Sequence, residues 1–133
     1  DEPYHLAIVK NIATHESTAL DTSVLLLDAA PVFQALLDDK VAGVPIPVIA
    51  RRFHDAFVEG IVQVAQLVDM MYGVSVVTLS GGVFMNRYLL EHAASRLANG
   101  GFSVAINREL PPNDASVSFG QAVVALARNT QTN

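Results

Sequence analysis

The sequence predicts an α/β fold in which a mostly parallel sheet is flanked by helices. Short runs rich in β-branched residues alternate with longer segments of helical periodicity. Proline, glycine and asparagine stand at the boundaries between these segments. The resulting order of strand, helix, strand and helix is typical of a parallel α/β arrangement. With 133 residues, the chain has the length of one domain with a sizeable core.

The first part of the chain predicts two strands and a helix. Residues 4–9 and 22–28 are apolar runs of strand length, separated by a polar turn at 15–21. A helix is expected between Pro31 and Gly43, because proline favours a first helical turn and glycine a helix end. Its predicted apolar face consists of Val32, Leu36 and Val41.

The longest periodic segment, residues 44–73, predicts a single amphipathic helix. Its apolar positions recur at spacings of three or four: Ile49, Phe53, Phe57, Ile61, Val64, Val68 and Met71. The β-branched run at 74–80 follows, and its nearly continuous apolar character is typical of a strand buried on both faces.

Two glycines, Gly81 and Gly82, follow this strand and are expected to lead directly into a helix that ends near Gly100. Residues 102–106 predict another strand. Residues 107–114 predict a loop, and a final helix is expected over 115–129.

Composition excludes several kinds of protein. The absence of cysteine excludes disulfides, thiolate metal sites and a cysteine nucleophile, and it favours a cytoplasmic location. A net charge of −5 with scattered basic residues argues against a nucleic-acid surface. No apolar run is long enough to cross a membrane. The hydrophobic fraction of 51% predicts either unusually buried elements or a surface that meets another domain. The absence of an initiator Met predicts a fragment or a processed product.

The double glycine is the first candidate site. Bare backbone at the carboxyl end of a strand lets a ligand approach closely, and a helix that starts there favours an anion. Ser80 and Asn86 add short hydrogen-bonding groups. The alternative is that Gly81 and Gly82 only form a tight turn with positive φ.

The second candidate is the segment "PPNDASVSFGQ" at 111–121. Asp114 is a candidate for binding a metal ion or a ligand hydroxyl. The alternative is that Asn113 and Asp114 cap the last helix.

Three blocks in order, "GVPIPVIARRFHDAF" (43–57), "LSGGVFMNRYLLE" (79–91) and "PPNDASVSFGQA" (111–122), resemble one family. They are similar to the C-terminal part of the carbamoyltransferases of nickel–iron hydrogenase maturation. The resemblance extends from about Asp21 through the final helix. It divides the chain into an N-terminal segment at 1–20 and a nucleotide- and metal-binding lobe at 21–133.

The resemblance implies the second lobe of an actin-like (ribonuclease H-like) ATPase fold, in which two lobes enclose a nucleotide. Ser80, Gly81 and Gly82 would form the turn against the adenylate part of ATP or carbamoyl-adenylate. Asn86 would lie nearby, and Asp114 would bind a divalent metal ion shared with two histidines of the other lobe. No catalytic residue is assigned.

The resemblance also implies a reaction and its participants. The intact, cytoplasmic enzyme would form carbamoyl-adenylate from carbamoyl phosphate and ATP. It would then pass the carbamoyl group to a C-terminal cysteine of a partner maturation protein. No membrane or nucleic acid is expected to take part.

The chain departs from the family in two respects. Ala115 and Ser116 stand where members have two glycines, and their side chains are expected to crowd a phosphate. A His-x-x-x-His pair, the zinc-finger cysteines and the acylphosphatase-like region are absent. The chain alone is therefore expected to hold half of the active site, to be inactive, and to self-associate through uncovered apolar surface.

Two alternatives remain open. The first is a lobe of a tRNA threonylcarbamoyltransferase, although that group carries a different pattern around its metal-binding aspartate and the present chain lacks a basic surface. The second is a non-catalytic nucleotide-binding or interaction lobe, in which the Ala115–Ser116 turn no longer accepts phosphate.

Overall fold

The computed structural model describes residues 2–12 and 23–130, and the chain divides into two compact units, Asp1–Val68 and Asp69–Asn133. The predicted polar turn at 15–21 lies outside the described residues. The strands and helices, in chain order, are β1 (Ala7–Ile12), β2 (Ser23–Asp28), α1 (Ala30–Val41), α2 (Ile46–Tyr72), β3 (Val76–Leu79), α3 (Arg87–Asn99), β4 (Ser103–Ile106) and α4 (Val117–Thr130). Short 3₁₀ turns occur at Gly82–Met85 and Asp114–Ser116.

In the first unit, β1 and β2 pair in an antiparallel ladder that places Ala7 opposite Asp28. The Asp28 carboxylate then accepts a hydrogen bond from the backbone N–H of Ala30 at 2.9 Å. This bond satisfies one of the free donors at the start of α1, where Pro31 occupies the first turn. The helix ends before Gly43, whose φ of 76° is readily adopted only by glycine.

The core of the first unit lies between the N-terminal segment, α1 and the first half of α2. Its buried members are Tyr4, Leu6, Val32, Ile49 and Ala56. Phe53 packs against this cluster and also contacts Phe33 and Phe57, with ring centroids 6.0 and 4.9 Å away. The periodicity that predicted α2 therefore also predicted part of its buried face.

A polar group at the edge of this core joins the N-terminal segment to both helices. The Tyr4 hydroxyl and the Arg52 guanidinium each donate to the same Asp39 oxygen at 2.7 Å. These bonds lower the pKa of Asp39 below its usual value of 3.8. Burial and the bond to Asp39 raise the pKa of Tyr4 to about 12.

In the second unit, β3 and β4 form a parallel pair connected through α3, with Val76 opposite Ser103 and Leu79 opposite Ile106. This confirms the predicted parallel connection of these two strands. Helix α3 packs against both strands, and its apolar face supplies most of the buried residues of this unit. The buried apolar residues of this unit are Leu79, Leu89, Ala93, Leu97 and Phe102, and three of them (Leu89, Ala93 and Leu97) belong to α3.

The structure differs from the predicted mostly parallel sheet. In the described residues the strands form two separate two-stranded sheets, one antiparallel and one parallel. The prediction that β3 is buried on both faces is wrong, because Val76 is 57% exposed and only Leu79 is buried. Within the described residues of this unit, helix α3 packs against the strand pair and no second layer covers β3.

Several predicted apolar positions are also exposed. Val41 of α1 is 90% exposed and Met71 of α2 is 53% exposed. In α4, the side chains described over residues 117–129 are all exposed. Within the described residues, no helix is long and apolar enough to cross a membrane.

Candidate functional site

The first candidate segment is the turn at residues 80–82, which we call the glycine turn. It follows β3 directly, and Ser80 is exposed. Gly81 has φ 106° and ψ 161°, a backbone conformation that is essentially restricted to glycine. The interpretation of a tight turn with positive φ is therefore confirmed for Gly81.

Gly82 is different, because its φ is not positive. It is exposed and begins the 3₁₀ turn. A Cβ atom built on Gly82 would meet only the Cβ of Asn113, at 3.9 Å, which is an ordinary van der Waals distance. The fold itself therefore tolerates a side chain at Gly82, and the bare backbone there is open to an approaching ligand.

The helix does not start at the glycines as predicted. Asn86 adopts an extended conformation and caps α3, with its side-chain oxygen accepting from the backbone N–H of Leu89 at 3.3 Å. Asparagine favours this role because its short side chain reaches the free N–H groups of a first turn. The expectation that a helix dipole acts at the glycine turn is thus wrong, since only a four-residue 3₁₀ turn follows it.

The second candidate segment is the loop at residues 111–116, which we call the aspartate loop. Its conformation is held by three internal hydrogen bonds, one of them from the backbone N–H of Ser116 to the carbonyl of Asn113 at 3.2 Å. The Asn113 side chain accepts from the backbone N–H of Ala115 at 3.2 Å, and the Ser116 hydroxyl donates to the carbonyl of Pro111 at 2.6 Å. Asn113 therefore caps the 3₁₀ turn that precedes α4, whereas the capping alternative places it at the start of the last helix itself.

Asp114 takes no part in this capping. Its side chain is exposed, and among the described residues no hydrogen bond or ion pair to its carboxylate is found. The carboxylate is therefore available to an external partner.

The departures at Ala115 and Ser116 fit the loop that they form. Both residues lie in the 3₁₀ turn, a helical conformation that residues with side chains adopt without strain. The Ser116 hydroxyl donates to the carbonyl of Pro111 and so stabilises the conformation of the loop.

The structure brings the two candidate segments together. The backbone N–H of Gly81 donates to the carbonyl of Pro112 at 2.7 Å. The side-chain amide of Asn113 donates to the sulfur of Met85 at 3.0 Å. The glycine turn and the aspartate loop, about thirty residues apart in the sequence, thus form one continuous surface.

Two members of this contact were not predicted from the sequence. Met85 carries no signal beyond its place after the glycines, and Pro112 contributes a backbone carbonyl, which any residue type would supply. Asn113 was identified only as a capping residue.

A metal ion would need more ligands than the described part of the chain supplies. No group of three or more His, Cys, Asp or Glu residues is clustered in the described ranges. Asp114 fits one ligand position, because carboxylate oxygen suits hard divalent cations. His54 and His92 are used elsewhere: His54 Nδ1 lies 2.7 Å from the Ala50 carbonyl oxygen, and His92 stacks on Tyr88 at 4.0 Å.

A separate groove of about 500 Å³ lies along α4. Its lining among the described residues consists of Val117, Gly120, Gln121, Val124, Ala125 and Arg128. Since this lining includes none of the candidate site residues, the groove is distinct from the surface formed by the glycine turn and the aspartate loop.

Comparison with known proteins identifies similar sequences and a similar fold. Residues 5–121 match the family described as "Carbamoyltransferase, Kae1-like Domain, second subdomain". The chain is 34% identical over 102 residues to carbamoyltransferase HypF of Synechocystis sp., covering 77% of this chain and 12% of that protein. Carbamoyltransferase HypF2 of Cupriavidus necator is also 34% identical, with the same coverage of both chains.

A solved structure, full-length HypF in the phosphate- and nucleotide-bound form, has the same fold over most of this chain. The TM-score is 0.79 with 31% sequence identity, and the match covers 93% of this chain and 15% of the HypF chain. The present chain therefore spans only a small part of the length of the proteins that it matches.

Proposed function

We propose, from the fact that this chain belongs to the HypF carbamoyltransferase family, that it supplies part of a nucleotide and metal site in an ATP-dependent carbamoyltransferase. In this proposal the chain is the second lobe of an actin-like ATPase fold, with the lobe at residues 21–133. The intact enzyme would form carbamoyl-adenylate from carbamoyl phosphate and ATP. The carbamoyl group would then pass to a C-terminal cysteine of a partner protein of nickel–iron hydrogenase maturation, in the synthesis of the cyanide ligands.

The observation that carries this proposal is the contact between the glycine turn and the aspartate loop. The bond from Gly81 to Pro112 and the bond from Asn113 to Met85 hold the segment with the exposed Gly82 against the loop that carries the exposed Asp114. Such a surface has bare backbone for a nucleotide and an oxygen ligand for a cation. The similar HypF structure was solved in a phosphate- and nucleotide-bound form, and this supports a nucleotide ligand.

The role proposed for each residue of the glycine turn and for Asn86 follows from its surroundings in the structure. The backbone at Ser80, Gly81 and Gly82 would lie against the adenylate group, because Gly82 leaves room for close approach. Asn86 would act nearby by holding the start of α3.

Asp114 would provide one ligand for a divalent cation, and the remaining ligands would come from residues outside the described part of the chain. A cation bound there would offset phosphate charge and polarise the carbamoyl group. The Asp114 carboxylate would keep that charge close to the glycine turn.

The proposal is tested by Asp114→Asn in the complete protein that carries this chain. This variant keeps the size of the side chain and removes its charge. Carbamoyl transfer to the partner cysteine, with ATP and carbamoyl phosphate present, is expected to fall by about 100-fold or more. Mass spectrometry of the acceptor protein measures the transfer.

Asp38→Asn is the matched control, because Asp38 is an exposed carboxylate of α1 whose side chain, among the described residues, accepts a local bond from Gln34 alone. It is expected to leave the transfer unchanged. Full transfer by the Asp114→Asn protein would contradict the metal role and favour the non-catalytic alternative.

A further inference from the structure

We propose that Asn113 is a positioning residue that holds the aspartate loop against the glycine turn, so that metal and nucleotide strengthen each other's binding. This inference rests on the proposed function, because it takes Asp114 as a metal ligand and the glycine turn as the nucleotide contact. It adds that metal binding and nucleotide binding are energetically coupled through the protein.

The Asn113 side chain is bonded in two directions. Its oxygen accepts from the backbone N–H of Ala115 and fixes the turn that contains Asp114. Its amide nitrogen donates to the side-chain sulfur of Met85, in the 3₁₀ turn that follows the glycine turn. One side chain therefore links the backbone beside Asp114 to the side chain of Met85.

A main-chain bond lies next to this link. The N–H of Gly81 donates to the carbonyl of Pro112 at 2.7 Å, and Pro112 directly precedes Asn113. The backbone of Gly81 is thus bonded directly to the loop that contains Asp114.

Little of the aspartate loop is buried. Its half-buried residues are Pro112, Asn113 and Ser116, whereas Asp114 and Ala115 are exposed. Pro112 and Asn113 make the bonds to the glycine turn and Met85, and the Ser116 hydroxyl bonds within the loop to Pro111. A segment with so little buried surface has low local stability, so its position depends on these bonds.

Coupling between the two ligands follows from this dependence. A nucleotide that orders the glycine turn would also order the aspartate loop through Asn113, which lowers the entropic cost of binding metal at Asp114. Thermodynamic linkage requires the reverse effect to be equal, so metal would raise the affinity for nucleotide by the same factor.

Adenosine is the probe that isolates this effect in the complete protein that carries the chain. Because adenosine has no phosphate groups, it lacks the phosphate–metal contact of ATP, and the coupling that remains measures the contribution of the protein. The affinity for adenosine is measured by calorimetry with Mn²⁺ present and with Mn²⁺ removed by chelation. We expect Mn²⁺ to increase it by about fivefold or more, and adenosine to increase Mn²⁺ affinity equally.

Two variants break the link from its two ends. Asn113→Ser keeps an oxygen that caps the turn but is too short to reach Met85. Met85→Leu keeps the apolar volume and removes the sulfur acceptor. Both are expected to lower the coupling by about threefold or more while adenosine and Mn²⁺ each still bind alone with nearly wild-type affinity.

The matched control is Met70→Leu, the same substitution at an exposed methionine of α2 that lies outside both segments. It is expected to retain the wild-type coupling. Absence of coupling in the wild-type protein, unchanged coupling in either link variant, or an equal loss in the control would each overturn the proposal. A folded protein that binds no adenosine at all would overturn the proposed function as well, which separates the two failures.

Discussion

At the scale of single residues, the two adjacent glycines have different physical roles. Gly81 is required by its backbone angles, with φ at 106°, whereas Gly82 has an ordinary φ and space for a side chain. The fold therefore requires glycine at position 81 but not at position 82, where the absence of a side chain is available for ligand binding. Substitution at each position separates the two roles.

Gly81→Ala is expected to lower the free energy of unfolding by about 1–3 kcal/mol, because alanine is strained in this conformation. Gly82→Ala is expected to change it by less than about 1 kcal/mol, yet to weaken ATP binding in the complete protein. Urea unfolding and calorimetric titration measure the two effects.

Gly43→Ala is the control for strain, since Gly43 also has a positive φ and open space around it but lies after α1. It is expected to destabilise the fold by about 1–2 kcal/mol without affecting ATP. Unchanged ATP affinity in Gly82→Ala would argue against a nucleotide at this turn.

The group of Tyr4, Asp39 and Arg52 predicts how stability depends on pH. The folded state lowers the pKa of Asp39 below 3.8, so its contribution is present above that pH and is lost as the pH falls further. The folded state raises the pKa of Tyr4 to about 12. Because the folded state holds the tyrosine proton more tightly, stability decreases as the pH rises from about 10 to about 12.

Tyr4→Phe removes the hydroxyl and its alkaline dependence. At neutral pH it is expected to lower the free energy of unfolding by about 1–2 kcal/mol, owing to the lost bond to Asp39. Between pH 10 and 12, stability of the variant should depend less on pH than that of the wild type. Thermal unfolding at a series of pH values measures this, and parallel curves for the two proteins would contradict it.

At the scale of elements, helices α2 and α4 contain glycines in opposite environments. A Cβ on Gly60 of α2 would lie 2.5 Å from Cδ2 of the buried Leu6, whereas a Cβ on Gly120 of α4 would meet nothing within 4 Å. Helix propensity favours alanine over glycine at both positions. Packing therefore decides the sign of each substitution.

Gly120→Ala is expected to raise the free energy of unfolding by about 0.5–1 kcal/mol, because no contact opposes the gain in helix propensity. Gly60→Ala is expected to lower it, because overpacking costs about 1–3 kcal/mol and exceeds that gain. Chemical denaturation of both variants provides the comparison. A stabilised Gly60→Ala protein would show that Leu6 moves aside at little cost.

At the scale of the whole molecule, much apolar surface is uncovered. In α4 alone, the exposed apolar side chains are Val117, Phe119, Val123, Val124 and Leu126, each 47–67% accessible. Burial of such surface is favourable in proportion to its area. The chain also spans only 12% of the first relative that it matches, so these residues are candidates for contact with further protein.

The isolated chain is accordingly expected to self-associate at micromolar concentration in sedimentation velocity. Phe119→Lys should reduce this association, because it places a charge on the apolar surface of α4. Val41→Lys, at a 90% exposed position of α1, serves as the control for added charge. A strictly monomeric wild-type chain would contradict the prediction.

Local patterns in the sequence determined the elements and their types. Helical spacing of apolar residues predicted α1 and α2, short apolar runs predicted β2, β3 and β4, and proline and glycine marked boundaries. The blocks around the double glycine and Asp114 also predicted the family. These features depend on neighbouring residues, so a linear pattern contains the information.

Tertiary structure alone decided which side chains are covered and which segments meet. The burial of β3 was mispredicted because one strand pattern fits both a central strand and a strand in a two-stranded sheet. The contact of the glycine turn with the aspartate loop depends on the Pro112 carbonyl and the Met85 sulfur. A backbone carbonyl has no sequence signature, and the two segments come after β3 and β4, which pair in the folded chain. The sequence could therefore predict the two halves of the candidate site, whereas only the packed chain could join them.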